Sequence, residues 1–388
     1  MYEPCVDFLG SITERDDMWR YQRLLPVKNI VSAGEGNTPI IFLADLSKKL
    51  GINLYAKLES TNPTGTFKDR EASFVVSRSL DVGDDNLVMQ STGNTAVAIT
   101  HYAGLAGLSS YCFIPKISMY KLRMPEKGSK NRLIAVDGTP IQVKEYAAQF
   151  AKVFGFPKIS PFHERCECNV TQAYEVYEKV LRGEVPGFDH YVQVISAGMG
   201  PIGFFLGAKR LAQWYPGRIR IPRIHCVQNS EFSPMDAALK ERRETLGEEG
   251  KTPTYPTDDP FEPTLHTTNA PAYYPYVRMA IEESGGSAPM IDPDVTEGCA
   301  PEFRDALTQQ GYGLAETENA ALIGYAGLVQ LVGQGVIGKG SNVILMVTGK
   351  GSHVSHQVEP DAIIDPDYDV QRLMQDLGGE SHAGHRRK

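Results

Sequence analysis

Short apolar runs and longer stretches with helical periodicity alternate along this 388-residue chain. Runs at residues 52–58, 86–90, 109–114, 133–136, 191–195, 224–227 and 343–347 predict buried strands. Between them, apolar positions spaced three and four apart predict helices at 71–80, 96–106, 144–154, 171–182 and 202–214. Further helices are expected at 276–283, 301–309 and 318–333, and a polar one at 121–130. Residues 229–270, rich in charge, Pro and Thr, read as an irregular excursion or lid, and the tail beyond Gly378 as disordered. Strands alternating with helices define an α/β fold with a mostly parallel sheet wrapped on both faces. The length favours two lobes. Four strands end in small polar turns: before Lys68, at Ser91, at Ser196 and at Thr348. In open α/β sheets ligands sit beyond the carboxyl ends of strands, so these turns are expected to meet at one cleft.

Composition narrows the classes. A net charge of -8 lacks the basic footprint of a nucleic-acid protein. No run approaches the roughly 18 apolar residues of a membrane span. Met1-Tyr2-Glu3-Pro4 does not resemble a signal peptide. Six cysteines in a chain this long are no disulfide framework, so a reducing cytoplasm is expected. Cys166 and Cys168 with His163 raise the question of a metal, but the spacing is wrong for a zinc ribbon. The first 30 residues read as an arm that packs on the body or on a second subunit.

The candidate chemistry begins at Asn62-Pro63-Thr64-Gly65-Thr66-Phe67-Lys68-Asp69-Arg70. A lysine at a tight, partly apolar strand-to-helix turn is suited to a Schiff base with a carbonyl cofactor, because desolvation lowers its pKa and the turn aims it. Ser91-Thr92-Gly93-Asn94-Thr95 offers hydroxyls and helix-start N–H groups to a carboxylate, or an ordinary cap by Asn94. Ser196 to Gly203 places small residues before a helix, which suits a phosphate. The same stretch reads G-x-G-x-x-G, the dinucleotide pattern, but about twenty residues on it meets Ile219 to Arg223 instead of an acid. Thr348 ends the last strand with a hydroxyl able to donate to a ring nitrogen.

Glu35-Gly36-Asn37-Thr38-Pro39, the Lys68 turn, the Asn94 turn, Lys116 to Leu122 and Thr348-Gly349 occur in order and at suitable separations. Together they resemble threonine synthase and its relatives among the fold type II, tryptophan-synthase-β-like pyridoxal 5'-phosphate enzymes. The resemblance implies two lobes, each a mostly parallel twisted sheet wrapped by helices. Residues 1–83 with 186–388 would anchor the cofactor, and 84–185 would form a smaller closing domain. Lys68 would carry pyridoxal 5'-phosphate as a Schiff base and act as catalytic base. Asn94 would bond its phenolic oxygen, Ala197, Gly198, Met199 and Gly200 its phosphate, and Thr348 its ring nitrogen. Ser91, Thr92, Gly93, Thr95 and Lys121 would bind the substrate, and Glu316 would lie near the cofactor. A homodimer acting on an amino acid as its small-molecule substrate is implied.

Two segments depart from the family. Threonine synthases follow the Asp-Gly turn with Asn-Phe-acid, where this chain has Asp137-Gly138-Thr139-Pro140-Ile141. Their Gly-Gln-Lys is replaced by Cys168-Asn169-Val170. Residues 189–193 and 228–236 look closer to cysteate synthase. The basic run Lys116, Lys121, Arg123, Lys127, Lys130 and Arg132 suits an anionic substrate or a solvated face. Expected activities are therefore threonine-synthase-like γ-elimination with β-hydration, β-replacement as in cysteate or cysteine synthases, or a threonine/serine dehydratase. The rivals are a pseudoenzyme that keeps the fold and a dinucleotide-dependent dehydrogenase.

Overall fold

The structure is a computed structural model. It describes residues 7–91, 93–159, 162–247, 258–267, 270–312, 317–350 and 358–378. Ten strands form two sheets: β1 (Ile40–Phe42), β2 (Asn53–Lys57), β3 (Asn86–Gln90), β4 (Ser109–Pro115), β5 (Asn131–Val136), β6 (His190–Val194), β7 (Arg223–Asn229), β8 (Met290–Ile291), β9 (Asn342–Met346) and β10 (Ala362–Ile364). The larger sheet runs β1-β2-β9-β6-β7-β8 and the smaller β10-β5-β4-β3. All pairings are parallel except β1 on β2.

Each sheet buries both faces, which is why its strands read as near-continuous apolar runs. Along β9, Ile344 and Met346 join the core on one face, and Val343 and Leu345 the core on the other. Along β5, Leu133 and Ala135 face one core and Ile134 and Val136 the second. That two-residue alternation is the strand period at work.

Two segments cross the expected division. The helix Phe162–Leu181 belongs to the larger lobe, where Cys166, Val170, Tyr174 and Tyr177 enter its core. It lies against the helix Met199–Trp214 because that helix is bare where they meet. A Cβ on Gly203 would sit 2.4 Å from Asn169 Cβ, and one on Gly207 2.8 Å from Ala173 Cβ. The glycines of the G-x-G-x-x-G pattern thus serve helix packing at their distal end. At the other end of the chain, β10 pairs with β5 and the helix Val370–Asp376 enters the smaller core, so residues 362–376 belong to the smaller lobe.

The helix expected at 121–130 does not form. Lys121 closes a 3-10 turn that starts at Lys116, and the following chain is irregular past Pro125. Gly128 comes so close to Gly104 that a Cβ would lie 2.9 Å from the Gly104 Cα. The arm before residue 30 packs on its own body, with Phe8, Met18, Trp19 and Tyr21 fully buried. Trp19 Nε1 donates to Glu35 at 2.9 Å and to Ser73 at 2.8 Å. Residues 379–388, expected to be disordered, lie outside the described residues.

Candidate active site

A cavity of about 160 Å³ opens where the four turns meet. Lys68, Ser91, Asn94, Thr95, Ala197, Gly198, Met199, Gly200 and Thr348 all line it. Lys68 is the first residue of the helix Lys68–Val82. The turn before it is pinned from both ends. Thr64 donates to the Asp69 carboxylate through N–H at 2.7 Å and Oγ1 at 2.6 Å. Phe67 N–H bonds the Thr348 carbonyl at 3.1 Å, and Lys350 N–H bonds the Gly65 carbonyl at 3.0 Å. The lysine turn and the Thr348 turn are thereby one unit.

The Lys68 amine lies 3.4 Å from Glu71 Oε2 and 4.4 Å over the Phe67 ring. Burial lowers its pKa below the ordinary lysine value, Glu71 opposes this and Arg165 adds to it. Burial pushes the Glu71 carboxyl up, but Arg165, 2.5 Å away, and Lys68 outweigh it and hold it below the usual range. A lysine held this way gives up its proton more readily than a solvated one.

The loop after β6 enters the 16-residue helix Met199–Trp214 through Gly198, whose φ of +83° belongs to the left-handed region. The first-turn N–H groups of a helix have no acceptor within it and carry its positive end. A Cβ on Gly200 would lie 2.4 Å from Gln193 Nε2, so a larger residue there would have to displace that side chain. Gly93 has φ +145°, and its N–H bonds Ser91 Oγ at 3.1 Å before the helix that starts at Asn94. The Thr348 hydroxyl is buried and has no hydrogen-bond partner among the described residues. A buried hydroxyl left unmatched at a cavity wall is a place for a ligand acceptor.

Lys121 is not part of the lining. Its ammonium sits between Glu318 at 2.9 Å and Glu262 at 3.3 Å. Burial opposes its charge, but these two carboxylates raise its pKa well above the lysine value. Two more of the basic run are engaged elsewhere: Lys116 pairs with Asp137 and Lys127 with Asp361, each at 2.6 Å. Cys166 Sγ rests 3.7 Å from Met199 Sδ, and Cys168 Sγ bonds the Arg165 carbonyl. Thr92 and Glu316 lie outside the described residues.

Four features of the lining were missed by sequence reasoning: Arg165, Glu318, the wall Thr264-Leu265-His266-Thr267, and Tyr273. Arg165 was missed because the helix expected at 171–182 in fact starts at Phe162, which brings Arg165 one turn before Asn169 of the divergent segment. Nothing local marks His266, which stacks on Phe232 at 4.2 Å.

The comparisons agree with this geometry. The family model described as "Pyridoxal-phosphate dependent enzyme" matches residues 31–349. A threonine synthase of Methanosarcina acetivorans is 28% identical over 351 residues, covering 89% of this chain and 82% of the relative. A cysteate synthase of Methanosphaerula palustris is 28% identical over 360 residues, covering 88% and 81%. Among solved structures, maize serine racemase superposes with a TM-score of 0.63 at 18% identity, over 81% of this chain and 90% of its own.

Proposed function

The chain belongs to the pyridoxal-phosphate dependent enzymes, and from that premise we propose that it eliminates or replaces a side-chain leaving group on an activated amino acid. The first reading is γ-elimination with β-hydration, as the name threonine synthase of a relative covering most of the chain suggests. The observation that carries it is the shared cavity: a lysine amine of lowered pKa, a glycine-framed helix start and an unmatched buried hydroxyl meet in one space. Those features fit pyridoxal phosphate: an amine for its aldehyde, N–H donors for its phosphate and a hydroxyl for its ring nitrogen.

In this reading the backbone of Ala197, Gly198, Met199 and Gly200 would hold the phosphate. Thr348 Oγ1 would donate to the ring nitrogen, Asn94 Nδ2 to the phenolic oxygen, and Lys68 would attach to the aldehyde. The bound ring supplies an electron sink for charge left at Cα. Ser91, Gly93 and Thr95, at the start of their helix, hold the substrate carboxylate. Lys68 takes the Cα proton, for which an amine held below the ordinary lysine range is the better base at neutral pH. Arg165 brings a positive charge to the cavity wall for an anionic leaving group, while Glu71 fixes its direction. The wall Thr264–Thr267 and Tyr273 limits the entry of water.

A second reading, β-replacement on a serine-type substrate, is favoured by the cysteate synthase relative. Location in the cytoplasm and a homodimer complete the proposal. The first is supported by five free cysteines among the described residues, and light scattering reads the second.

Purified protein with pyridoxal phosphate should absorb near ~410–430 nm, and Lys68→Ala should lose that band and all turnover. A wild-type protein that takes up no cofactor overturns the proposal. Incubation with O-phosphohomoserine, O-phosphoserine, threonine or O-acetylserine, with and without sulfite, decides between the readings. Threonine and phosphate from O-phosphohomoserine support elimination, and a product only with added nucleophile supports replacement.

A further inference from the structure

Four hydrogen bonds cross from one lobe to the other beside the cavity, whose lining includes Asn94 and Glu318. Asn94 Nδ2 donates to Glu318 Oε2 at 3.2 Å, and Lys121 Nζ donates to the same oxygen at 2.9 Å. Tyr120 OH and Lys121 Nζ donate to the two oxygens of Glu262, at 3.1 and 3.3 Å. Every donor lies on the smaller lobe and every acceptor on the larger one. The Glu318 side chain is only 4% exposed.

Glu318 stands at the N-cap of the helix Asn319–Gly333, where a carboxylate ordinarily accepts from the first-turn N–H groups. Here it makes no side-chain cap bond. It turns instead over Gly349, whose bareness makes the room: a Cβ there would lie 2.2 Å from Glu318 Oε1. The carboxylate is thus spent on Asn94 and Lys121.

We propose that Glu318 is a positioning residue, the carboxylate onto which the smaller lobe closes and which fixes the Asn94 amide with its nitrogen end toward the cofactor. This rests on the reading of Asn94 as partner of the cofactor's phenolic oxygen. An amide carries two donors at one end and an acceptor at the other, so a flip would set oxygen against oxygen. An ionised carboxylate can only accept, and therefore binds the nitrogen end. The second N–H of Asn94 is then free to face the cavity. Lys121 supplies the counter-charge that lets an acid sit this deep. Closure of the lobe and readiness of the amide become a single event.

The test is a double-mutant cycle on pyridoxal phosphate affinity, read by equilibrium dialysis of the full chain, with absorbance recorded alongside. Asn94→Ala and Glu318→Gln should each weaken binding about tenfold, the size of one hydrogen bond to a charged oxygen. In Glu318→Gln the one remaining acceptor goes to the Lys121 ammonium, which leaves Nε2 facing Asn94 and flips its amide. The double variant should bind no more weakly than Asn94→Ala alone. Glu318→Ala should repeat this if the Gln variant fails to fold. Wild-type affinity in both Glu318 variants, or factors that multiply in the double variant, overturns the proposal. Failure of the Lys68 assignment is separate: it appears as Lys68→Ala keeping the visible band while the cycle on affinity can still be closed.

Discussion

Two clusters of buried charge lie close in sequence to residues that line the cavity, and they differ in what surrounds them. In the first, Arg70 pairs with Glu59 at 2.7 Å and Glu175 at 2.6 Å, and Lys57 pairs with Glu175 at 2.6 Å, all at most 1% exposed. In the second, Lys121 lies between Glu262 and Glu318, almost as deeply buried. The first cluster ties β2 to the N-terminal turn of the Lys68–Val82 helix and to the Phe162–Leu181 helix, and the Lys68–Val82 helix itself packs Phe74 into the larger core and Ala72, Val75 and Val76 into the smaller one. Its charges reach water only if the lobe unfolds. The second cluster joins two lobes, so parting them hydrates every charge while both cores stay intact. Similar burial therefore predicts rigidity in the first cluster and reversibility in the second.

The largest effect is expected from the first cluster. Arg70→Met leaves two buried carboxylates, Glu59 and Glu175, to share the single ammonium of Lys57, at 3.4 and 2.6 Å. Breaking a buried pair from one side costs about 3–5 kcal/mol, and urea unfolding should show a loss of that order. Acid should act on the same cluster. Burial raises the Glu175 carboxyl, but Arg70 and Lys57 outweigh it and hold it at about 2, below an unfolded value near 4.5. A depressed acid stabilises above the unfolded value, so this contribution should fade as pH falls from about 4.5 toward 2. A loss under about 1 kcal/mol in Arg70→Met would remove the contrast between the clusters.

A neutral pair on the same large sheet gives a smaller effect. His190 Nδ1 meets His225 Nε2 at 2.9 Å, and His225 Nδ1 meets Ser287 Oγ at 2.7 Å. Burial, then His190 and Arg223, depress His225 to about 3, and burial lowers His190 as well. Depressed histidines protonate more readily when unfolded, so stability is full above about 6.5 and declines as pH falls toward 3. Between pH 6.5 and 5 the loss from His225 should reach about 2 kcal/mol, at 1.36 kcal/mol per pH unit. Urea midpoints across that range should slope downward with acid, and His225→Asn should flatten the slope whatever its own stability. An unchanged slope would show that charge, rather than burial of polar groups in general, sets the rigidity of this lobe.

What the sequence disclosed follows from how local each feature is. The Lys68 turn, the Gly198 loop and the Thr348 strand end each announce themselves by a residue type required at one backbone position. Their meeting at one cavity follows from a general rule about strand ends. Glu318 and Arg165 were invisible for the opposite reason, since a charge enters a cavity through partners far along the chain. The acid chosen by resemblance, Glu316, is two residues from the one that lines the cavity. The 121–130 stretch misled because its lysines and arginines were read as a solvated helical face, when Pro125 and the close approach of Gly128 to Gly104 decide its path. β10 was missed because three residues pairing at a sheet edge carry no periodicity of their own.

The smallest effect on stability, and the sharpest test of the comparison, is expected from Lys121→Met. Removing this ammonium strands Glu318 and Glu262 in the closed form, just as Arg70→Met takes a partner from two buried carboxylates. The difference is that the lobes can part. Opening hydrates both carboxylates at the cost of the two interlobe hydrogen bonds that remain, from Asn94 and Tyr120. Global unfolding by urea should therefore move by less than about 1 kcal/mol, the range of exposed pairs. Hydrogen exchange should report where the change went. Amides around Asn94 and along Lys116–Leu122 should lose protection, while those of the Lys68–Val82 helix keep theirs. Should Lys121→Met instead cost as much in urea as Arg70→Met, with exchange unchanged at Asn94, the second cluster is as rigid as the first.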